Sequence, residues 1–134
     1  MPNTHGDSMV RTIRVFLLVE AAAFVIAALT HFGFLFPGYA HHRASIAESV
    51  IACALLLGLA ASFARPTLTA SAGLVSQAFA LLGTLVGIVT IIVGVGPRTV
   101  PDVVYHVVIV IVLAWGLVTA RRARGAGTGI GGAG

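Results

Sequence analysis

Four long apolar segments occupy most of this 134-residue chain. They cover residues 13–36, 45–64, 68–94 and 103–120. A helix needs about 20 apolar residues to cross the hydrocarbon core of a bilayer, and all four segments are close to that length or exceed it. Only 9% of the residues are charged, too few to cover the core of a water-soluble domain. The sequence therefore predicts an all-α transmembrane four-helix bundle whose main partner is the lipid bilayer.

The connections between these segments are short and contain residues that end helices. Pro37 and Gly38 follow the first segment, Pro66 follows the second, and Pro101 comes just before the fourth. Short connections make consecutive helices antiparallel neighbours. We therefore expect an up-down-up-down bundle.

The predicted membrane domain spans residues 10–120. Residues 1–9 are predicted to be a flexible N-terminal segment, within which Met9 is an alternative start to Met1. Residues 121–134 are arginine-rich and then glycine-rich, which predicts a disordered cytoplasmic tail.

The formal charge of +4 comes from arginine alone, since the chain contains no lysine. Only Arg43 and Arg98 fall in the 1–2 and 3–4 connections. The other arginines flank the termini and the 2–3 connection: Arg11, Arg14, Arg65, Arg121, Arg122 and Arg124. The positive-inside rule predicts that both termini are cytoplasmic, as in a multi-pass protein of a bacterial inner membrane. Because the arginines form no continuous patch, nucleic-acid binding is not expected.

Small residues recur at helical spacing in the third segment. They are Ser76, Ala80, Gly83, Gly87, Thr90 and Gly94. In lipid, small residues let helix backbones approach closely, so this packing seam is expected inside the monomer. Contact with a second copy or with a larger membrane complex is the alternative. Gln77 and Thr84 lie beside the seam, where they could form hydrogen bonds either to a neighbouring helix or back to their own helix.

Ionisable side chains are predicted to gather near the outer ends of three helices, with His31, Glu48 and His106 at a similar depth and Asp102, His41 and His42 just above them. His31 is near the end of the first helix, Glu48 is near the start of the second, and Asp102 and His106 begin the fourth. Asp102 and His106 are four residues apart and share one helix face. Imidazole and carboxylate groups suit transition metals and also proton transfer. We predict that His31, Glu48, Asp102 and His106 bind a cation, either a metal ion or protons.

Each of these residues also has a structural interpretation. Asp102 and Glu48 lie in first helical turns, where carboxylates cap free amides. His31 and His106 could be interfacial polar tips, and His41 and His42 could be solvated loop residues.

Glu20 lies near the middle of the first predicted helix, where a carboxylate is costly. It shares a stripe with Phe24, Ala27 and His31. We expect it to be protonated or paired with a donor on a neighbouring helix, and we predict that it acts as a deeper proton relay.

Several chemistries have no sequence support. There is one cysteine, Cys53, and the chain contains neither a CxxCH motif nor a phosphate-binding loop. We find no nucleophile–base pair, so catalysis is not expected. The leading prediction is a cation-binding membrane protein with a possible transport role. The alternatives are an accessory quinone- or haem-binding subunit of a redox complex, and a purely structural partner of a larger membrane protein.

In size and four-helix layout the chain resembles the small DoxX-like bacterial membrane proteins. It also resembles an uncharacterised bacterial family that has a glutamate in helix 1, here Glu20, and a GVGPRTVPD-type loop, here Gly94 to Asp102. These resemblances imply the four-helix fold but no established activity.

Overall fold

The computed structural model describes residues 4–128, which form four α-helices and no strand. These are α1 (Thr4–His31), α2 (His42–Ala64), α3 (Thr69–Ile92) and α4 (Val100–Thr128), and a 3₁₀ turn at Pro66–Leu68 precedes α3. Consecutive helices pack against one another, and α1 also contacts α4 and, less extensively, α3. The predicted all-α four-helix bundle is confirmed. We call the end of the bundle with connections 32–41 and 93–99 the loop end, and the opposite end the terminal end.

The core runs along the bundle axis in steps of about two helical turns. In α1, the side chains of Leu17, Phe24 and His31 are seven residues apart and all buried. The same spacing relates Glu48 to Leu55 in α2 and Asp102 to Ile109 in α4, again with every side chain buried. Several polar residues are therefore in phase with the apolar core and point into the bundle.

The outward faces are apolar. Leu57, Val75 and Trp115 are about 70% exposed, and many other large aliphatic side chains are similarly uncovered. All four helices are long and apolar enough to cross a membrane. With such surfaces in contact with lipid, the chain is a multi-pass membrane protein.

The first helix ends at His31, five residues before the predicted end at residue 36. The reason is Gly33, which has a φ of +82° and turns the backbone out of the helix. The backbone N–H of His41 then donates to the carbonyl of His31 at 2.8 Å, which closes the loop. The apolar residues 32–36, which extend the hydropathy signal, are loop residues.

The other helix ends also differ from the predicted bounds. The helix α1 begins at Thr4, whereas the predicted helix began at residue 13. At the other end of the chain, α4 continues through Arg121 to Thr128, because alanine and arginine at 120–124 are good helix formers. The rest of the predicted flexible and disordered segments, residues 1–3 and 129–134, lies outside the described residues.

Two arginines satisfy carbonyl groups at helix C-termini. Arg98 donates from Nε to the carbonyl of Ile91 at 2.8 Å and from Nη2 to that of Ile92 at 2.7 Å. At the terminal end, Arg14 of α1 donates to the Ser62 carbonyl of α2 at 2.5 Å. A cation at a helix C-terminus is also favoured by the helix dipole.

The predicted small-residue seam divides into two parts. Ser76 and Ala80 are buried in the core, whereas Gly83, Gly87 and Thr90 line a cavity at the loop end. Gly94 lies beyond the end of α3, with a φ of +84° that ends the helix. The five seam residues that lie within α3, from Ser76 to Thr90, face other helices of the same chain.

Candidate functional site

Three side chains from three helices form a hydrogen-bonded triad at the loop end. The Nδ1 atom of His31 lies 2.9 and 2.8 Å from the two carboxylate oxygens of Glu48. Its Nε2 atom lies 3.0 Å from Oδ1 of Asp102. All three residues are at most 7% exposed. We call His31, Glu48 and Asp102 the triad.

The triad forms because each member occupies an inward position close to a helix end. The lengths of the connections put the end of α1 and the starts of α2 and α4 at the same depth. The bond between His41 N–H and the His31 carbonyl then draws α1 and α2 together at this depth.

Asp102 also caps its own helix. The Thr99 amide donates to its Oδ2 atom at 3.1 Å, and the Thr99 hydroxyl donates to the same oxygen. The Asp102 amide donates back to the Thr99 hydroxyl at 3.4 Å. This is a capping box, with Thr99 at the N-cap and a carboxylate three residues later. The cap and the triad use different carboxylate oxygens, so Asp102 caps α4 and contacts His31 at the same time.

His106 lies outside the triad. Its Nδ1–H donates to the backbone carbonyl of Asp102 at 2.7 Å, one turn back in α4. The other ring nitrogen faces Gly87 of α3, where an added Cβ would lie 3.2 Å away. The structure thus brings His31, Glu48 and Asp102 into direct contact and turns the His106 ring toward α3.

The loop histidines have structural contacts. His41 is the N-cap of α2, where its Nδ1 accepts from the Ala44 amide at 3.3 Å, and its ring lies 6.4 Å from the His31 ring. His42 packs its ring edge-on against Phe32 at 6.2 Å.

A second polar contact lies at mid-depth. Gln77 of α3 donates from Nε2 to both carboxyl oxygens of Glu20 at 3.0 and 3.1 Å. Both residues are fully buried, and the Gln77 Oε1 atom has no partner among the described residues. Gly116 of α4 makes room for the pair, since an added Cβ would lie 2.6 Å from Oε1 of Glu20. The sequence predicted that Glu20 is protonated or paired with a donor on a neighbouring helix, but it predicted neither the pairing with Gln77 nor the role of Gly116.

A cavity of about 180 Å³ lies among α2, α3 and α4. It extends from His41 and Pro97 at the loop end to Phe24 and Thr84 inside the bundle. Among the described residues, Glu48 is the triad member in its wall, while Glu20 and Gln77 lie beyond Phe24 and do not reach it.

A more open groove of about 550 Å³ runs along α1 and α4. Its walls are mostly apolar, and His31 and Asp102 form part of them. Tyr105 lies between the two spaces and contributes to both walls. The triad therefore spans the bundle from the cavity, at Glu48, to the groove, at Asp102.

The arrangement suits protons better than metal ions. Among residues 4–128, no group of three or more His, Cys, Asp or Glu side chains is placed to hold a metal ion. Both ring nitrogens of His31 already face carboxylates, so neither is free for a metal or a haem iron. What the triad offers is a chain of groups that each accept and release protons.

No family model, curated protein or solved structure matches the chain. The resemblance to DoxX-like proteins, which rests on layout, stays a prediction.

Proposed function

We propose that this protein binds protons within the membrane, at the triad of His31, Glu48 and Asp102. The observation that carries the proposal is that both nitrogens of one buried imidazole are hydrogen-bonded to carboxyl groups from two other helices. This is the cation-binding role predicted from the sequence, with the proton as the cation. The metal site at His31, Glu48, Asp102 and His106 stays a prediction that the geometry does not favour.

Counting protons supports this proposal. A neutral imidazole has one N–H and one nitrogen with a lone pair. If both carboxylates were ionised, that lone pair would face a carboxylate oxygen across 2.8–3.0 Å. One extra proton, on the ring or on the facing carboxyl group, converts this repulsive contact into a hydrogen bond. Occupancy of the triad by that proton therefore holds α1, α2 and α4 together at the loop end.

Glu20 is proposed as a second, deeper proton-binding group. The Gln77 amide donates to both of its oxygens, and the pair is fully buried. The buried Phe24 ring lies one turn of α1 from Glu20, between it and the triad. A quinone site, a homo-oligomer and a role as structural partner stay predictions.

The proton proposal is tested by replacing Glu48 with glutamine, which keeps the shape of the side chain. An amide can donate to or accept from Nδ1, so the triad of Glu48→Gln no longer needs the extra proton. We expect the variant to bind one proton fewer than the wild type. In nitrogen-15 NMR spectra of the purified protein, both His31 ring nitrogens should show the hydrogen-bonded state in the wild type, and their pH response should change in Glu48→Gln.

The control for this experiment is His42→Asn, which removes an exposed histidine outside the triad and should leave the His31 signals unchanged. Identical His31 titrations in the wild type and in Glu48→Gln would contradict the proposal. So would stabilisation by added Zn²⁺ that disappears in His31→Ala, since that result would indicate a metal site.

We further propose that the loop end faces outward from a bacterial inner membrane, with both termini cytoplasmic. The support is the arginine distribution, six on the terminal side against two on the loop side. A fluorescent protein fused to the C-terminus should fluoresce, and alkaline phosphatase fused there should be inactive. Phosphatase inserted after Gly38, in the loop, should be active. The opposite pattern would contradict this orientation.

A further inference from the structure

We propose that the cavity among α2, α3 and α4 holds water and is the path by which protons reach Glu48 from the loop end. Its use for protons depends on the proposed function of the triad. The hydration of the cavity does not depend on that function, because it is inferred from the size of the cavity and the chemistry of its walls.

The cavity is large enough for water, and its mostly apolar walls include several polar groups. Its volume of about 180 Å³ is enough for several water molecules. Glu48, Thr90, His106 and, near the mouth, Arg43 contribute polar groups to its walls. Cavities that stay dry inside proteins have apolar walls throughout, whereas polar groups bind the water that enters.

Glu48 links this space to the triad. Its side chain is part of the cavity wall, and both of its carboxyl oxygens contact His31. Water in the cavity can therefore deliver a proton to Glu48, and hydrogen bonds connect that carboxyl group through His31 to Asp102. The tyrosine in the same wall, Tyr105, has a buried hydroxyl group with no partner among the described residues. An internal water is the usual partner for such a group.

Two glycines of α3 in the cavity wall make room for side chains from neighbouring helices. A Cβ added at Gly87 would lie 3.2 Å from Nε2 of His106, and one added at Gly83 would lie 2.8 Å from Cδ1 of Ile51. Larger residues would fill the space between α3 and its neighbours. This part of the predicted packing seam therefore lets the Ile51 and His106 side chains approach α3 beside the cavity, while Ser76 and Ala80 provide helix contact.

Phe24 closes the inner end. Its ring is buried, lies 6.1 Å from the Tyr105 ring and forms the last part of the wall before Glu20. The water path therefore reaches the triad but stops one helical turn short of the mid-depth pair.

Cysteine accessibility tests this proposal. In a Cys53→Ser background, Thr84→Cys and Thr90→Cys place thiols in the cavity wall. Leu85→Cys and Val89→Cys place them on the lipid-facing side of the same helix, one residue away. A small cationic methanethiosulfonate reacts with the thiolate, which forms only where water reaches the sulfur. In liposomes, with reagent on both sides, we expect the cavity thiols to react at least about tenfold faster than the lipid-facing thiols.

Equal rates at the two faces, in variants whose circular dichroism matches the wild type, would overturn the proposal. Measuring the same cysteine labelling rates in a Glu48→Gln background distinguishes the proposed water path from the proposed proton binding by the triad. Fast cavity reaction with unaltered His31 titration would leave the water path intact and refute proton binding by the triad. Slow reaction of the cavity thiols, together with the expected loss of one bound proton in Glu48→Gln, would refute the water path and support proton binding by the triad.

Discussion

Replacing His31 with alanine is expected to destabilise the bundle by about 3–5 kcal/mol, the cost typical of removing one partner from a buried ionic contact. The imidazole is the shared partner of Glu48 and Asp102, and its ring is 4% exposed. Without it, two carboxyl groups face each other across a void and have lost three short contacts. The free energy of unfolding can be measured by SDS titration in detergent micelles, followed by circular dichroism.

A triple variant separates the loss of charge pairing from the loss of volume, and a second variant serves as a control. In the triple variant His31→Ala/Glu48→Gln/Asp102→Asn no ionisable group remains in the triad, so we expect it to be more stable than His31→Ala alone. His42→Ala removes an exposed histidine of the same loop region and should change stability by about 0.5 kcal/mol or less. A loss below about 1 kcal/mol in His31→Ala would mean that the triad contributes little to holding the helices together.

The depth of the triad could be predicted from the sequence, but its hydrogen bonds could not. Helix rise and connection length put His31 and Glu48 at one level and Asp102 just above them. Which atoms meet depends on the rotation of three helices about their own axes. The heptad relation of His31 to Phe24 and of Glu48 to Leu55 is a signal for that rotation, since it puts the polar groups in phase with the core.

His106 shows why shared depth is insufficient. The i, i+4 spacing with Asp102 indicates a common face, but the same spacing lets the ring bond the carbonyl of Asp102 instead of joining its carboxylate. That local bond competes with a contact across the bundle, and periodicity alone does not distinguish the two. The end of α1 presents a similar competition, because residues 32–36 are apolar enough to extend the hydropathy signal while Gly33 ends the helix.

The contact between Glu20 and Gln77 is harder to predict from the sequence than the triad. Glu20 and Gln77 are 57 residues apart in sequence, and each is recognisable on its own as a polar residue in an apolar helix. Their pairing depends on α1 and α3 meeting at one level, although these two helices contact each other less than consecutive helices do. Gly116, from a third helix, has no polar signal and is identifiable only from the space it leaves.

Replacing Gln77 with methionine is therefore expected to destabilise the protein by about 1–3 kcal/mol, the cost of leaving a buried polar group without its partner. Methionine is close in shape to glutamine and flexible enough to fill the same space, so the change mainly removes the amide that donates to both oxygens of Glu20. Thermal unfolding in detergent and SDS titration should both report the loss. The matched control is Ser49→Ala, at a half-buried position of α2 whose hydroxyl bonds only its own helix.

The double variant Glu20→Met/Gln77→Met decides what the pair is for. Replacing both members of a buried polar pair with apolar groups of similar shape is often neutral or stabilising. If the double variant regains wild-type stability, packing does not require the carboxyl group, and Glu20 is retained at mid-depth for a role such as proton binding. If the double variant is no more stable than Gln77→Met alone, the Glu20–Gln77 contact is needed to fit α1, α3 and α4 together around Gly116, and its role is structural. Recovery of stability in the double variant would therefore favour a proton role for Glu20, and its absence would favour a structural one.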